Sequence, residues 1–183
     1  MILRRIALPA LLLALCIPAA AQFAVENLIA RLPEGYKVDH RDRQGGIGIT
    51  QMVPQRESVT EWTEMVATQT FFGARTVELE SFRAEMRARG LANCKEPGAY
   101  SEIGEGVENG YPFVMWSLGC PMMANGKPEY TWYKAIKGND SFYLVIKSFR
   151  KDPTTEQEAK WLEYFKSIIV CDPRIPDQSC PKA

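Results

Sequence analysis

The residues able to do chemistry are few, and their spacing narrows the field. A histidine base for nucleophilic catalysis has to be His40, the only histidine in the chain, within the run Val38-Asp39-His40-Arg41-Asp42-Arg43. No G-x-S-x-G elbow accompanies it, and no cysteine stands free once the cysteines pair, so triad chemistry lacks its nucleophile. A histidine in so polar a strand reads as a surface residue. Carboxylates offer a second route, because Glu102, Glu105 and Glu108 recur at every third position. A facing pair would support glycoside hydrolysis. Strand alternation puts Glu102 and Glu108 on one face and Glu105 on the other, so the three read as the solvated edge of an acidic strand rather than a dyad. The same splay makes a poor calcium cage, and no D-x-D-x-D-G loop is present. The glycines of "EGYKVDHRDRQGGIG" lack the strand–loop–helix setting of a phosphate loop and read as turn residues. Arg83 and Arg87 share a helical face interleaved with Glu80 and Glu85, an ordinary solvated surface or a weak anion patch.

The segment "PEYTWYKAIKGNDSFYLVIKSFRK", residues 128–151, holds the remaining candidates. A two-residue turn at Gly138-Asn139 pairs Ala135 with Phe142, Tyr133 with Leu144 and Thr131 with Ile146, which makes one apolar core face. The second face pairs Lys134 with Tyr143, Trp132 with Val145 and Tyr130 with Lys147. Tyr130, Trp132, Lys134, Tyr143 and Lys147 therefore form either an exposed partner-binding patch, rich in the side chains that anchor interfaces, or a floor for a helix with the lysines reaching its rim.

The first 21 residues read as an address. Arg4 and Arg5 open a basic start, an apolar run follows, and Ala19 and Ala21 fit a small-x-small cleavage site before Gln22. The run is too short and too broken by Pro9 and Pro18 to span a membrane. Leu15 before Cys16 departs from a lipobox, which favours ordinary cleavage. Loss of the leader removes two arginines and no acids, so 20 basic residues face 22 acidic ones and the formal charge is −2. A near-neutral chain without a basic run is no nucleic-acid binder. Four cysteines remain, Cys94, Cys120, Cys171 and Cys180, an even set suited to two disulfides in an oxidising compartment. Three connectivities are open. Cys94–Cys120 with Cys171–Cys180 is the favoured pairing, the second tying the tail to the last helix. No C-x-x-C pair supports a zinc site, and no cofactor motif is found.

These residues need elements to hold them. Residues 23–32 put Val25, Leu28, Ile29 and Leu32 on a helical stripe, and residues 36–42 and 46–53 read as short strands. Residues 58–72 carry both a capping-box start and strand-like alternation; strand is the reading adopted. Residues 77–89 predict a helix with Leu79, Phe82 and Met86 inward, stopped at Gly90. A hairpin turning at Asn109-Gly110 and the 128–151 hairpin follow. A last helix runs from Pro153 to Ile169, with Asp152 as N-cap. The expected fold is α+β, a twisted antiparallel sheet of meander hairpins packed by about three helices, forming one domain over residues 22–183 with a disulfide-tethered tail.

This element order, with "LPEGYKV" entering the first strand and a helix closing the chain, resembles the PsbP-like architecture of small exported α+β domains over most of the mature chain. "EWTEMV" and "GNDSFY" are also similar to segments of uncharacterised exported bacterial proteins. Neither resemblance carries a catalytic or binding residue across. The expected role is that of a non-enzymatic domain in the periplasm or outside the cell, binding an exported or envelope protein or another envelope component. The alternative is a hydrolase acting on envelope glycans or peptides through carboxylates.

Overall fold

Apolar residues at period two between tight turns favour strands with antiparallel neighbours. The computed structural model describes residues 25–181, so the predicted leader and Cys16 lie outside the described residues. Nine strands are formed: β1 Asn27–Ile29, β2 Tyr36–Gln44, β3 Ile47–Pro54, β4 Glu64–Phe72, β5 Ala99–Glu108, β6 Tyr111–Cys120, β7 Glu129–Lys137, β8 Ser141–Phe149 and β9 Ile169–Cys171. Helix α1, Leu79–Ala92, joins β4 to β5, and α2, Thr155–Ser167, joins β8 to β9. Seven strands make one antiparallel sheet in the order β2-β3-β4-β8-β7-β6-β5, and β1 pairs with β9 in a separate ribbon.

Each face of the large sheet carries one helix. On one side, Phe82 of α1 meets Phe142 with ring centroids 4.7 Å apart, over a cluster of Val114, Trp116, Leu118, Ala135 and Leu144. On the other, Trp161 and Phe165 of α2 pack with Met115, Trp132, Tyr143, Val145 and Phe149. Strand β8 is buried almost end to end because it is central and covered on both faces.

The expectation of three helices on an α+β sheet is corrected: strand accounts for 47% and helix for 19%, with two helices and predominantly antiparallel β structure. Of the predicted helix at 23–32, the described residues 25–32 form no helix and contain β1. Its apolar stripe is split, with Leu28 packed against the α2-side core while Val25 and Leu32 are about half exposed. The segment is instead held by Glu26, whose buried carboxylate accepts from the backbone N–H groups of Asn139, Asp140 and Ser141 at 2.6–3.2 Å and from the Tyr143 hydroxyl at 3.0 Å. The strand reading of 58–72 holds from Glu64 onward, as β4, whereas Ser58 and Glu61 close a tight turn through an antiparallel bridge. Helix α1 runs past Gly90 to Ala92. The N-cap of α2 is Thr154 rather than Asp152, because Thr154 and Gln157 form a reciprocal capping box.

Register also departs from expectation in two places. The β7–β8 turn centres on Asn139-Asp140, so Tyr133 pairs with Ile146 and Trp132 with Lys147. Gly138 sits too close to the Glu26 carboxylate for any side chain, and that carboxylate collects the turn amides. The slip is by two residues, so every side chain keeps its expected face. In β5 an extra residue at Ile103 breaks the ladder: Glu102 pairs with Trp116 and Gly104 with Met115. Beyond that bulge the faces are inverted relative to simple alternation.

Cys94–Cys120 and Cys171–Cys180 are both disulfides, with Cα separations of 5.7 and 4.8 Å. The first joins the end of α1 to the end of β6, and the second fastens the tail to β9. Among the described residues no helix is long and apolar enough to cross a membrane.

Candidate functional site

The second face of the β7–β8 hairpin lies under α2. Trp132 is only 7% exposed, Lys134, Tyr143 and Lys147 are buried, and Tyr130 is half-buried. These five residues therefore present no exposed patch. The lysines do not reach the rim; both are buried whole, because the end of α2 supplies acceptors to Lys134 while Glu64 of β4 and Tyr36 of β2 supply them to Lys147. Lys134 Nζ donates to the backbone carbonyls of Phe165 and Ile168 at 2.9 and 3.0 Å, at the end of α2, and pairs with Glu108. Lys147 Nζ donates to Glu64 at 2.7 Å and to the Tyr36 hydroxyl at 2.9 Å, and sits 3.8 Å from the centroid of the Trp161 ring. Burial pushes Lys147 down to about 8 although Glu64 supports its charge. Burial likewise lowers Lys134 against the opposing pull of Glu108. Burial by itself would raise Glu64, but Lys147, Tyr36 and Gln157 outweigh it and hold the carboxyl below its ordinary range. A lysine of lowered pKa is a nucleophile candidate. Here the protons of both ammonium groups are committed to protein acceptors, and neither lysine borders the cleft described below.

The other sequence candidates scatter. His40 is exposed on the edge strand β2, opposite Gln51. The Ile103 bulge corrects the expected splay of the glutamates. Glu102 and Glu105 now share the α1 face, opposite Trp116 and Val114, while Glu108 turns to the α2 face and Lys134. Glu102 is engaged by Arg83 at 3.4 Å and by the Tyr100 hydroxyl at 3.1 Å. Arg83 also pairs with Glu80, Arg89 pairs with Glu85, and Arg87 stacks 4.3 Å over Tyr100. No group of three metal-ligating side chains gathers among the described residues.

What the structure does assemble is a cleft of about 690 Å³ on the α2 side of the sheet, over β2–β3–β4. Its volume is that of an ordinary small-molecule site. The floor is formed by cross-strand rows. Val38 pairs with Met52 and Met52 with Val66; Arg41 pairs with Thr50 and Thr50 with Thr68; Arg43 pairs with Gly48 and Gly48 with Thr70. One wall is the extended segment from Val25 to Leu32, positioned by Glu26 and by the pairing of β1 with β9. Arg75 and Asp140 close the end near Phe72, 3.6 Å apart.

A bulge creates this arrangement. Between Val38 and His40 the β2 ladder shifts, and Asp39 leaves the alternation to accept the Val59 N–H at 2.8 Å. Arg41 and Arg43 thereby join Val38 on the cleft face, where plain alternation would have placed His40 and Asp42. Arg43 lies 4.0 Å over the Phe72 ring. That ring leans across Gly48, where a β-carbon would come within 3.1 Å of it. Stacking holds the guanidinium plane while its N–H edges stay available to an acceptor. Arg41 and Arg43 make no ion pair among the described residues, and the hydroxyls of Thr50, Thr68 and Thr70 have no hydrogen-bond partner there. The sequence carried one signal for this site, two arginines at i and i+2 on an edge strand, and the bulge hid which face they share.

No family model matches the chain, and no curated protein matches it.

Proposed function

We propose that the protein is an exported, non-enzymatic binding domain that receives an anionic envelope component in the cleft over β2–β3–β4. The observation that carries this reading is the pair of uncompensated guanidiniums, Arg41 and Arg43, set beside partnerless threonine hydroxyls in a walled concavity. Such a set offers charge-assisted donors to carboxylate, phosphate or sulfate groups. Export is supported by the leader-like sequence and by two disulfides, which persist in oxidising compartments.

The test is retention of components from an envelope extract on the immobilised, oxidised chain. Arg41→Ala with Arg43→Ala is expected to lose whatever the wild type releases at high salt. Identical retention by the double variant refutes the cleft as the site. The hydrolase alternative draws on the bulge that brings Glu102 and Glu105 to one face. Turnover of an envelope glycan or peptide that disappears in Glu102→Gln or Glu105→Gln would establish that alternative instead.

A further inference from the structure

We infer that the ligand of this cleft is an anionic amphiphile, its headgroup on Arg41, Arg43 and the threonine floor and its apolar tail directed toward Val38 and Met52. The inference rests on the cleft reading above and adds the chemical class of the ligand.

The floor changes polarity along the strand direction. At one end the row Val38–Met52 is apolar, and the wall beside it is Leu28, Ala30 and Leu32. Two residues along, the row Arg41–Thr50–Thr68 is cationic and hydroxylic; two further, Arg43 and Thr70 repeat it across Gly48. Rows two residues apart on a strand are roughly 7 Å apart, so the three rows span roughly 14 Å with the change from apolar to cationic inside that length. A simple inorganic anion would use only the cationic rows, and a neutral apolar ligand would leave the guanidiniums and hydroxyls unpaired.

The arginine end is roomier than a single anion needs. It continues into a second depression of about 510 Å³ that shares Arg41, Arg43, Thr50, Thr70 and Phe72 with it and is also bordered by Asp42. The apolar end is partly open, since Leu32 is 51% and Val38 36% exposed. Burying such side chains under an alkyl chain is favourable because it removes apolar surface from water. Asp140 is matched by Arg75, and Arg174, which also holds Asp172, reaches it too, so neither Arg41 nor Arg43 is spent on it. Glu26 lines the same cleft but its carboxylate is committed to the β7–β8 turn. Headgroup phosphate and carboxylate share this chemistry, and the probes below separate them.

The experiment is calorimetric titration of the oxidised chain from Gln22 with dodecanoate and decyl phosphate as monomers. Octyl glucoside supplies a neutral tail, and acetate and inorganic phosphate supply heads without tails. Dodecanoate or decyl phosphate is expected to bind at least about tenfold more tightly than the neutral or tailless probes. Arg41→Ala with Arg43→Ala is expected to weaken the amphiphile at least about tenfold, from the loss of charged hydrogen bonds. Val38→Asn, which adds polarity without charge, should weaken the amphiphile and leave inorganic phosphate unaffected. Circular dichroism confirms that each variant is folded, and Leu32→Asn provides a second, more exposed tail-end variant. Octyl glucoside binding as tightly as dodecanoate overturns the inference. Inorganic phosphate binding as tightly as dodecanoate also overturns it, while leaving an anion-binding cleft intact. Binding of an acidic peptide but no amphiphile overturns the amphiphile and keeps the binding-domain reading. Failure of every anion, together with unchanged envelope retention by the arginine variant, overturns both.

Discussion

Lys134→Met isolates the polar junction between the sheet and the end of α2. Methionine keeps the unbranched stem and removes the ammonium group. Three acceptors lose their donor: the carbonyls of Phe165 and Ile168 and the Glu108 carboxylate. Phe165 O retains the N–H of Ile168 at 3.3 Å, so its loss is partial. The Ile168 carbonyl bears the larger cost, in the range of about 1–3 kcal/mol for a buried unsatisfied group. Glu108 is 30% exposed and rehydrates, so its pair with Lys134 is worth about 1 kcal/mol or less. Together these losses come to about 3 kcal/mol, a large share of the 5–15 kcal/mol typical of a domain. A domain of this size should then melt about 6–12 °C lower. Urea titration is the assay, with the slope m expected to stay constant. Glu108→Gln should lose about 1 kcal/mol or less by the same measurement. A Lys134→Met variant within about 1 kcal/mol of wild type, or more stable, would refute the reasoning. It would place the site among buried charges that an apolar side chain replaces without loss.

Other outcomes follow from the same contacts. Glu26→Ala removes the acceptor of three turn amides and of the Tyr143 hydroxyl. Hydrogen exchange should quicken at Asn139, Asp140 and Ser141, with a stability loss of about 3 kcal/mol; unchanged protection at these amides would contradict the anchoring role. Trp132→Ala should cost about 3–5 kcal/mol in denaturant titration, as for a core aromatic, rather than act as a silent surface change. Replacing Cys171 and Cys180 by serine should cost about 3 kcal/mol, and replacing Cys94 and Cys120 somewhat more because they close the longer loop. Equal losses, or a larger loss for the short loop, would speak against the chain-entropy account. For pH, Lys147 lies near 8 folded and at 10.5 unfolded, so the unfolded chain holds its proton more tightly and stability rises with pH between those values. Lys134 adds in the same direction. Burial, reinforced by Glu64 and Glu26, raises Tyr36 and Tyr143, so above the ordinary tyrosine value of 10.0 the folded chain keeps protons that the unfolded chain loses, and stability falls again. Urea midpoints measured from neutral to alkaline pH should show this rise and fall, with the rise flattened in Lys147→Met. A rise that survives the substitution would assign it elsewhere.

Much of the framework was legible because its causes are local. Leu79, Phe82 and Met86 marked α1 by their spacing, Asn109-Gly110 marked a hairpin, and alternation along Phe142, Leu144 and Ile146 marked a core face. The four cysteines pair in the favoured way. The candidate site was not legible, because every feature that makes it depends on a distant partner. Residues 27–29 are a strand because β9 lies beside them, over a hundred residues along the chain. Lys134 and Lys147 are core residues because α2 brings carbonyls and Trp161 to them, and Glu64 arrives from β4. Two bulges, at Asp39 and Ile103, reverse which side chains share a face. Residue type and spacing thus determine the period of each element. Parity across a bulge, and whether a charge can be buried, depend on which donors and acceptors the completed sheet brings within reach. Only the tertiary structure decides those, and in this protein they place Arg41 and Arg43 in the cleft.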